Sequence, residues 1–354
     1  MHSDILKEIK AVLSAYPELP KGKNLEYERI PHGHINHSYK LETDSKCLFI
    51  QCLNVNIFPN VAAMCNQIEQ VTQHLACYYQ KNNLPYEAVN FYKTFSNQIF
   101  YQIGRNFYRI CDYKSALVAH QLPTNNEMVL SAGEAFAHFA KGLIDLPVAD
   151  AFFPIRRFHD LAFRYQQLQE AKQNSNQATA LLGLFQICDK LFDLLKPVLR
   201  YLEEGNLPSR WVHNDTKLNN LLFDKQLDAR CVVDLDTVMP GSLIFDIGDA
   251  LRTMGSSLEE DDSELDKLHI NKPAIDSFLQ GYVSVIGEHM TSEEKEMIPY
   301  SGIYMSAIMG YRFLTDFLSG NRYYRVKYPN HNLDRARNQL TLAVILSEDI
   351  GKVK

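Results

Sequence analysis

The stretch WVHNDTKLNNLLFD (residues 211–224) places His213, Asp215, Lys217 and Asn220 between two apolar runs, and Asp234 closes the apolar run CVV fourteen residues beyond Asn220. If WVH and NLLFD are strands, the loop between them exposes Asp215 at its base, and Asp234 at the end of a paired strand faces the same cleft. Two carboxylates and an amide then converge. That set suits phosphoryl transfer, which asks a protein for positioning and charge neutralisation more than for covalent chemistry. Asp215 would orient an acceptor hydroxyl and take its proton late, while Lys217 would steady the transferred group. Asn220 and Asp234 would hold Mg²⁺ on nucleotide phosphates, since Mg²⁺ prefers oxygen ligands and few protein groups. His213 reads as a brace rather than a base. An Asx-rich turn whose side chains cap their own backbone explains an isolated ND or NN, but not the whole H-x-D-x-K-x-x-N followed by VVDLD.

Residues 25–53 read as strands, LEYERIPHGHINHSYKLET and then KCLFIQCL, with Pro31 and Gly33 marking a turn. Residues 61–80 carry apolar side chains at three- and four-residue spacing and read as a helix, and the β-like runs AVNFYKTF and NFYRICDY follow. From about residue 125 the period becomes helical, with Gly205 at the stop of the clearest case. A short β interlude of RWVH, NLLFD and ARCVVDLD interrupts it. The expected class is α+β: a β-rich lobe over residues 1–112, then a mostly helical lobe over residues 113–354 with an embedded hairpin.

The 354 residues suffice for two lobes or one large α/β unit. A net charge of −6 gives no long-range pull on nucleic acid or anionic membranes, so a small molecule is the expected partner. No run approaches the roughly 20 apolar residues that span a bilayer, and the N-terminus lacks an apolar signal core, so the expected location is cytoplasmic. Seven scattered cysteines without a C-x-x-C pair suggest reduced thiols rather than zinc ligands or disulfides.

The combination resembles the aminoglycoside phosphotransferase and choline kinase superfamily, whose two-lobed fold is that of protein kinases. The segments GHINHSY, RRFHDLAFRY, HNDTKLNN, VVDLDTVMPGSLIFDIGDALR, MGYRFLTDF and HNLDRARNQL, in that order, resemble the N-acetylhexosamine 1-kinases within it. The resemblance implies ATP- and Mg²⁺-dependent phosphorylation of the anomeric hydroxyl of GlcNAc or GalNAc. It puts Asp215 on the catalytic aspartate, Asn220 and Asp234 on the metal ligands, and Asp236 on a neighbouring acid that assists.

The PHGHINHSY turn falls on the loop over the phosphates, where Gly33 would let backbone amides approach an anion and Asn36 would fix the turn. Ser38 and Gln51 complete the expected nucleotide side. Kinases of this shape usually place a lysine where CLFIQCL has Gln51, so phosphate binding would lean on backbone amides, metal or another base such as Lys40 or Lys46. The resemblance to the sugar 1-kinases implies that the glutamine is a trait of that subgroup. Glu69, on the helix that would carry the usual lysine partner, is then equally a surface residue.

For the acceptor, FDIGDALR offers Asp246, Asp249 and Arg252, the last two on one helix face. Asp246 would either contact the sugar or brace the catalytic loop. The resemblance adds Arg312, Tyr324 and His34 as sugar contacts; ordinary ion pairing and packing are the alternatives for the arginine and the tyrosine. The acidic run LEEDDSELDK would either attract a cationic aminoglycoside or form a plain surface loop. Phosphotransfer to an aminoglycoside, choline or N-acetylmuramate is the same-fold rival. A catalytically silent nucleotide-binding protein is the rival of another class, opposed by the presence of Asp215, Asn220 and Asp234.

Overall fold

The computed structural model describes residues 2–20, 25–30 and 35–350. The expected phosphate-loop residues Gly33 and His34 lie outside the described residues. After helix α1 (His2–Ser14), strands β1 (Glu26–Ile30), β2 (His37–Glu42) and β3 (Cys47–Leu53) form as the alternation predicts. Helix α2 (Val61–Lys81) follows, then β4 (Phe100–Ile103) and β5 (Asn106–Asp112). The five strands make one antiparallel sheet in the order β1-β2-β3-β5-β4.

Successive strand residues face opposite sides. Leu48 and Ile50 of β3 and Tyr108 and Ile110 of β5 turn to one side, where Ile9, Val12 and Leu13 of α1 cover them. Gln51 and Arg109 are cross-strand partners and therefore share the opposite, cleft-side face. The buried stripe Val61, Met64, Cys65, Ile68, Val71 and Leu75 of α2 packs in the core below that face with Leu53 and Cys111, and Asn60 caps the helix by accepting from the amide of Ala63 at 3.1 Å.

AVNFYKTF is not a strand. It touches the sheet at a single bridge between Phe91 and Cys111 and at the Tyr92 amide donated to Ile110. The tight turn at Gly104, whose φ of +56 suits glycine, folds Phe100–Ile103 onto the first half of β5. The ladder edge that AVNFYKTF would need is thereby largely taken.

Beyond residue 125 come α3 (Asn126–Gly142), α4 (Leu161–Gln173), α5 (Leu182–Leu194) and α6 (Lys196–Glu203). The β interlude contains β6 (Arg210–Val212), β7 (Leu221–Phe223), β8 (Ala229–Val232) and β9 (Met239–Gly241). It is followed by α7 (Leu243–Met254), α8 (Lys272–Ile286), α9 (Ser292–Leu318) and α10 (His331–Ile350). The expected hairpin between WVH and NLLFD is corrected: β6 pairs with β9 and β7 with β8. The loop after β6, closed by a 3-10 turn over Leu218–Asn220, carries the chain from one two-stranded ribbon to the other.

Helix α7 lies tightly against α9. A Cβ on Gly248 would stand 2.2 Å from the Ser301 carbonyl oxygen, so only glycine permits this approach. A capping box of Thr291 and Glu294 starts α9. Among the described residues no helix is long and apolar enough to cross a membrane.

Candidate active site

The loop after β6 is held by backbone and side-chain bonds that leave Asp215 at its tip. Asn214 adopts the left-handed conformation (φ 64), which asparagine tolerates better than most residues. Its side-chain amide donates to the carbonyls of Thr237 and Met239 at 3.0 and 3.2 Å. Buried His213 bonds through Nε2 to the Val233 carbonyl at 2.9 Å and lies edge-on to Phe136 and Phe139. It joins the two ribbons, as a brace would.

Asp246 on α7 accepts the amides of His213 and Asn214, one on each carboxylate oxygen, at 2.8 and 2.7 Å. Its backbone carbonyl accepts the Thr216 hydroxyl at 2.5 Å. Of the two roles expected for Asp246, the structure supports the brace, because the buried carboxylate is fully engaged by the loop and presents nothing to an acceptor. Asp246→Ala is expected to leave two buried amides without acceptors, costing about 2–4 kcal/mol. Urea denaturation checks the loss, and turnover should fall with it as the loop slackens.

Around Asp215 three side chains meet. Lys217 Nζ lies 2.9 Å from Oδ1, and Asn220 Nδ2 donates to Oδ2 at 2.9 Å and to the Asp215 carbonyl at 2.7 Å. Burial raises the Asp215 pKa, but Lys217, His213 and the Asn220 amide outweigh it and hold the carboxyl below its ordinary range. Against the lowering effect of burial, Asp215, Glu260 and Asp249 hold the Lys217 ammonium above its range. Asp215 is thus a carboxylate and Lys217 a cation.

Asp234 is placed differently. It follows β8 in the left-handed conformation (φ 60), and its side chain is open to the cleft. It makes no hydrogen bond or ion pair among the described residues. Desolvation by the protein around the cleft, and then Asp236 and Asp215 as like charges, push its pKa up to about 7. A partnerless carboxylate in such a field fits a divalent cation, whose charge would relieve the repulsion. Asn220 spends its amide nitrogen on Asp215 and leaves Oδ1 without a hydrogen bond, an oxygen donor of the kind Mg²⁺ takes. The residues present therefore fit Mg²⁺.

Asp236, expected beside Asp234 at the metal, is engaged elsewhere. Arg109 Nη1 meets its Oδ1 at 2.5 Å and Asn36 Nδ2 donates to its Oδ2 at 2.7 Å, with only 3% of Asp236 exposed. Arg109 also donates through Nε and Nη2 to Gln51 Oε1, at 2.9 and 2.7 Å. Gln51 Nε2 in turn points at Ser38 Oγ, 3.3 Å away. Lys40 pairs with Glu42 and Lys46 donates to the Tyr92 hydroxyl, so neither offered substitute stands beside Gln51. Glu69 pairs with Lys93.

Comparison with known proteins gives the family of the chain that carries this site. The model of the phosphotransferase enzyme family (APH) fits residues 26–276. The chain belongs to this family.

Solved structures agree on the fold. An aminoglycoside phosphotransferase from Alicyclobacillus acidocaldarius is 16% identical at a TM-score of 0.62, over 97% of this chain and 96% of that one. A microcompartment-associated aminopropanol kinase is 13% identical at 0.66, over 98% of both. A spectinomycin phosphotransferase in complex with ADP and spectinomycin is 11% identical at 0.56, again over 98% of both. The phosphotransferase thus has the protein-kinase-like fold, with a sheet in its N-terminal region and helices in its C-terminal region.

Among the residues expected at the acceptor, Arg252 is corrected from a sugar contact to a buried strut. Its guanidinium donates to Asp249 Oδ1 at 2.9 and 2.8 Å, to Glu260 at 2.5 Å and to Gln339 at 2.9 Å. Asp249 is buried with it, its Oδ2 without a partner. Two acids of the acidic run are engaged inward: Glu260 pairs with Arg252, and Asp261 with Arg335, Lys327 and His331.

Arg312 and Tyr324 do come together. The Arg312 guanidinium lies 4.8 Å from the Phe158 ring centre and 5.5 Å from that of Tyr324. Two further residues were not assigned from the sequence. Arg164 donates to the Phe158 carbonyl, and burial and Arg312 bring its pKa down to about 10. His159 bonds to the Asn214 carbonyl at 2.9 Å through Nε2, and burial lowers its pKa to about 3, which keeps it neutral. Its Nδ1 and the Tyr324 hydroxyl are buried without partners. Both new residues lie in RRFHDLAFRY, where a histidine and an arginine five residues apart were the available signal.

Proposed function

We propose that this phosphotransferase moves the γ-phosphoryl group of ATP, with Mg²⁺, onto the anomeric hydroxyl of an N-acetylhexosamine, GlcNAc or GalNAc, giving the sugar 1-phosphate. The observation that carries the choice of a neutral acceptor is the Arg164 and Arg312 pair. Neither forms an ion pair among the described residues, they stand close enough to repel each other, and an aromatic wall of Phe158, Tyr323 and Tyr324 surrounds Arg312. A cationic acceptor such as choline or an aminoglycoside would meet two uncompensated positive charges there. A sugar ring instead finds guanidinium donors beside aromatic faces. Within neutral acceptors, the six segments resembling N-acetylhexosamine 1-kinases favour an amino sugar. The ADP complex of a phosphotransferase with this fold supports a nucleotide donor.

In this reading Asp215 accepts a hydrogen bond from the acceptor hydroxyl. A carboxylate held below its ordinary range is a weak base, so the proton moves only as the bond to phosphorus forms. Lys217 faces the charge that collects on the transferred group. Asp234 and Asn220 would hold Mg²⁺, which when bound neutralises charge on the nucleotide phosphates. Residues 1–112 serve the nucleotide and residues 113–354 the acceptor, in a cytoplasmic enzyme.

ADP release with MgATP and a panel of GlcNAc, GalNAc, glucose, galactose, N-acetylmuramate, choline and kanamycin tests the proposal. N-acetylhexosamines are expected to give the highest kcat/KM, and Arg312→Glu to lower it for them. Turnover confined to choline or kanamycin would overturn the acceptor assignment while leaving the family intact.

A further inference from the structure

The polar side chains over the nucleotide side form a closed circuit. Asn36 donates to Asp236, Asp236 accepts from Arg109, Arg109 donates to Gln51, and Gln51 points at Ser38, which returns the path to the segment it left. Asn36 and Ser38 flank the entry to β2, at the end of the turn read as the phosphate loop. Asp236 stands two residues from the open carboxylate of Asp234. Arg109 is the only cation in this circuit and is 2% exposed.

Burying a guanidinium is unfavourable unless its partners are well placed, and a hydrophobic pair of the same volume is often as stable. A buried, fork-shaped donor is therefore better explained by the orientation it imposes than by stability. Arg109 imposes two orientations at once. Its double donation to Oε1 settles which way the Gln51 amide faces, turning the NH₂ group towards Ser38. Its bond to Asp236 Oδ1 leaves Oδ2 for Asn36, so both oxygens of that acid are engaged.

We propose that Arg109 is the positioning residue of the nucleotide site, fixing Asp236 and Gln51 so that Asn36 and Ser38 at the start of β2 and the loop carrying Asp234 hold one geometry around the phosphates. This rests on the nucleotide-dependent reading above. It also supplies the cation that β3 lacks, from the neighbouring strand β5. Arg109 reaches the nucleotide through Gln51 and Asp236 rather than by donating to a phosphate itself.

Calorimetric titration with MgADP tests the inference without reference to any acceptor. Arg109→Met is expected to weaken MgADP binding at least 10-fold, and in turnover to raise KM for MgATP while leaving KM for the sugar within 2-fold. Arg109→Lys keeps the charge and loses the fork, so it should fold where the methionine variant fails to, and should bind MgADP about 5-fold more weakly than the parent. MgADP affinity within 2-fold of wild type in Arg109→Lys, or in a folded Arg109→Met, would overturn the inference. Wild-type protein that binds MgADP but phosphorylates no sugar would defeat the acceptor proposal alone, whereas wild-type protein that does not bind MgADP would defeat both.

Discussion

Replacing Asp215 with asparagine is expected to lower kcat by roughly 10²–10⁴-fold, the range of a general base, while leaving MgADP affinity nearly unchanged. The substitution keeps the shape and one acceptor oxygen. It removes the charge that pairs with Lys217 at 2.9 Å and the site that receives the acceptor proton. The amide oxygen can still accept from Asn220 or from Lys217, so the loop should keep its conformation under the Asp246 brace. Steady-state kinetics with calorimetry separates the two effects. Near-normal turnover in this variant would mean that Asp215 is not the base.

Asp234→Asn is expected to act on the donor instead. The open carboxylate has no hydrogen bond or ion pair among the described residues, and its removal should weaken MgADP binding roughly 10–100-fold, as removal of groups supporting a bound metal does, and cut turnover with it. Asparagine tolerates the left-handed backbone at this position, so no strain is added. The substitution also removes the charge that burial disfavours and that Asp236 and Asp215 repel, the causes that together lift the Asp234 pKa to about 7. The ligand-free variant should therefore melt no lower than the parent, and calorimetric melting with and without MgADP checks both halves. A lower melting temperature without ligand would show that the carboxylate has a partner in the fold. Loss of function with retained or gained stability is the pattern expected when a site holds charge for a ligand.

The part of the site that the sequence made legible is the part that is local in the chain. Asp215, Lys217 and Asn220 fall within six residues, so a motif exposes them, and the structure brings them within hydrogen-bond distance of one another. Four of the five sheet strands and the long helices were legible from alternation and from three- and four-residue spacing, while Phe100–Ile103 took the place expected of AVNFYKTF. What stayed hidden depends on pairing between distant segments. Arg109 and Gln51 are 58 positions apart, and Asn36 and Asp236 are 200. Nothing in NFYRICDY says that its arginine faces a glutamine across a ladder, beyond the oddity of a charge inside an apolar strand.

The β interlude shows the same limit. Three- and four-residue strands carry too little periodicity to name their partners, so β6 was matched with β7 by proximity in sequence when its partner is β9. Arg252 was misread for a related reason: spacing placed it on one face with Asp249, but only the fold shows that this face turns inward to Glu260 and Gln339.

The most direct test is phosphorus NMR of the product formed from MgATP and an N-acetylhexosamine. The expected spectrum shows a new phosphomonoester signal coupled to the anomeric proton of the sugar, appearing as the γ-phosphate signal of ATP disappears. A phosphate on any other oxygen of the sugar, or no transfer to either N-acetylhexosamine while another acceptor is phosphorylated, would contradict it.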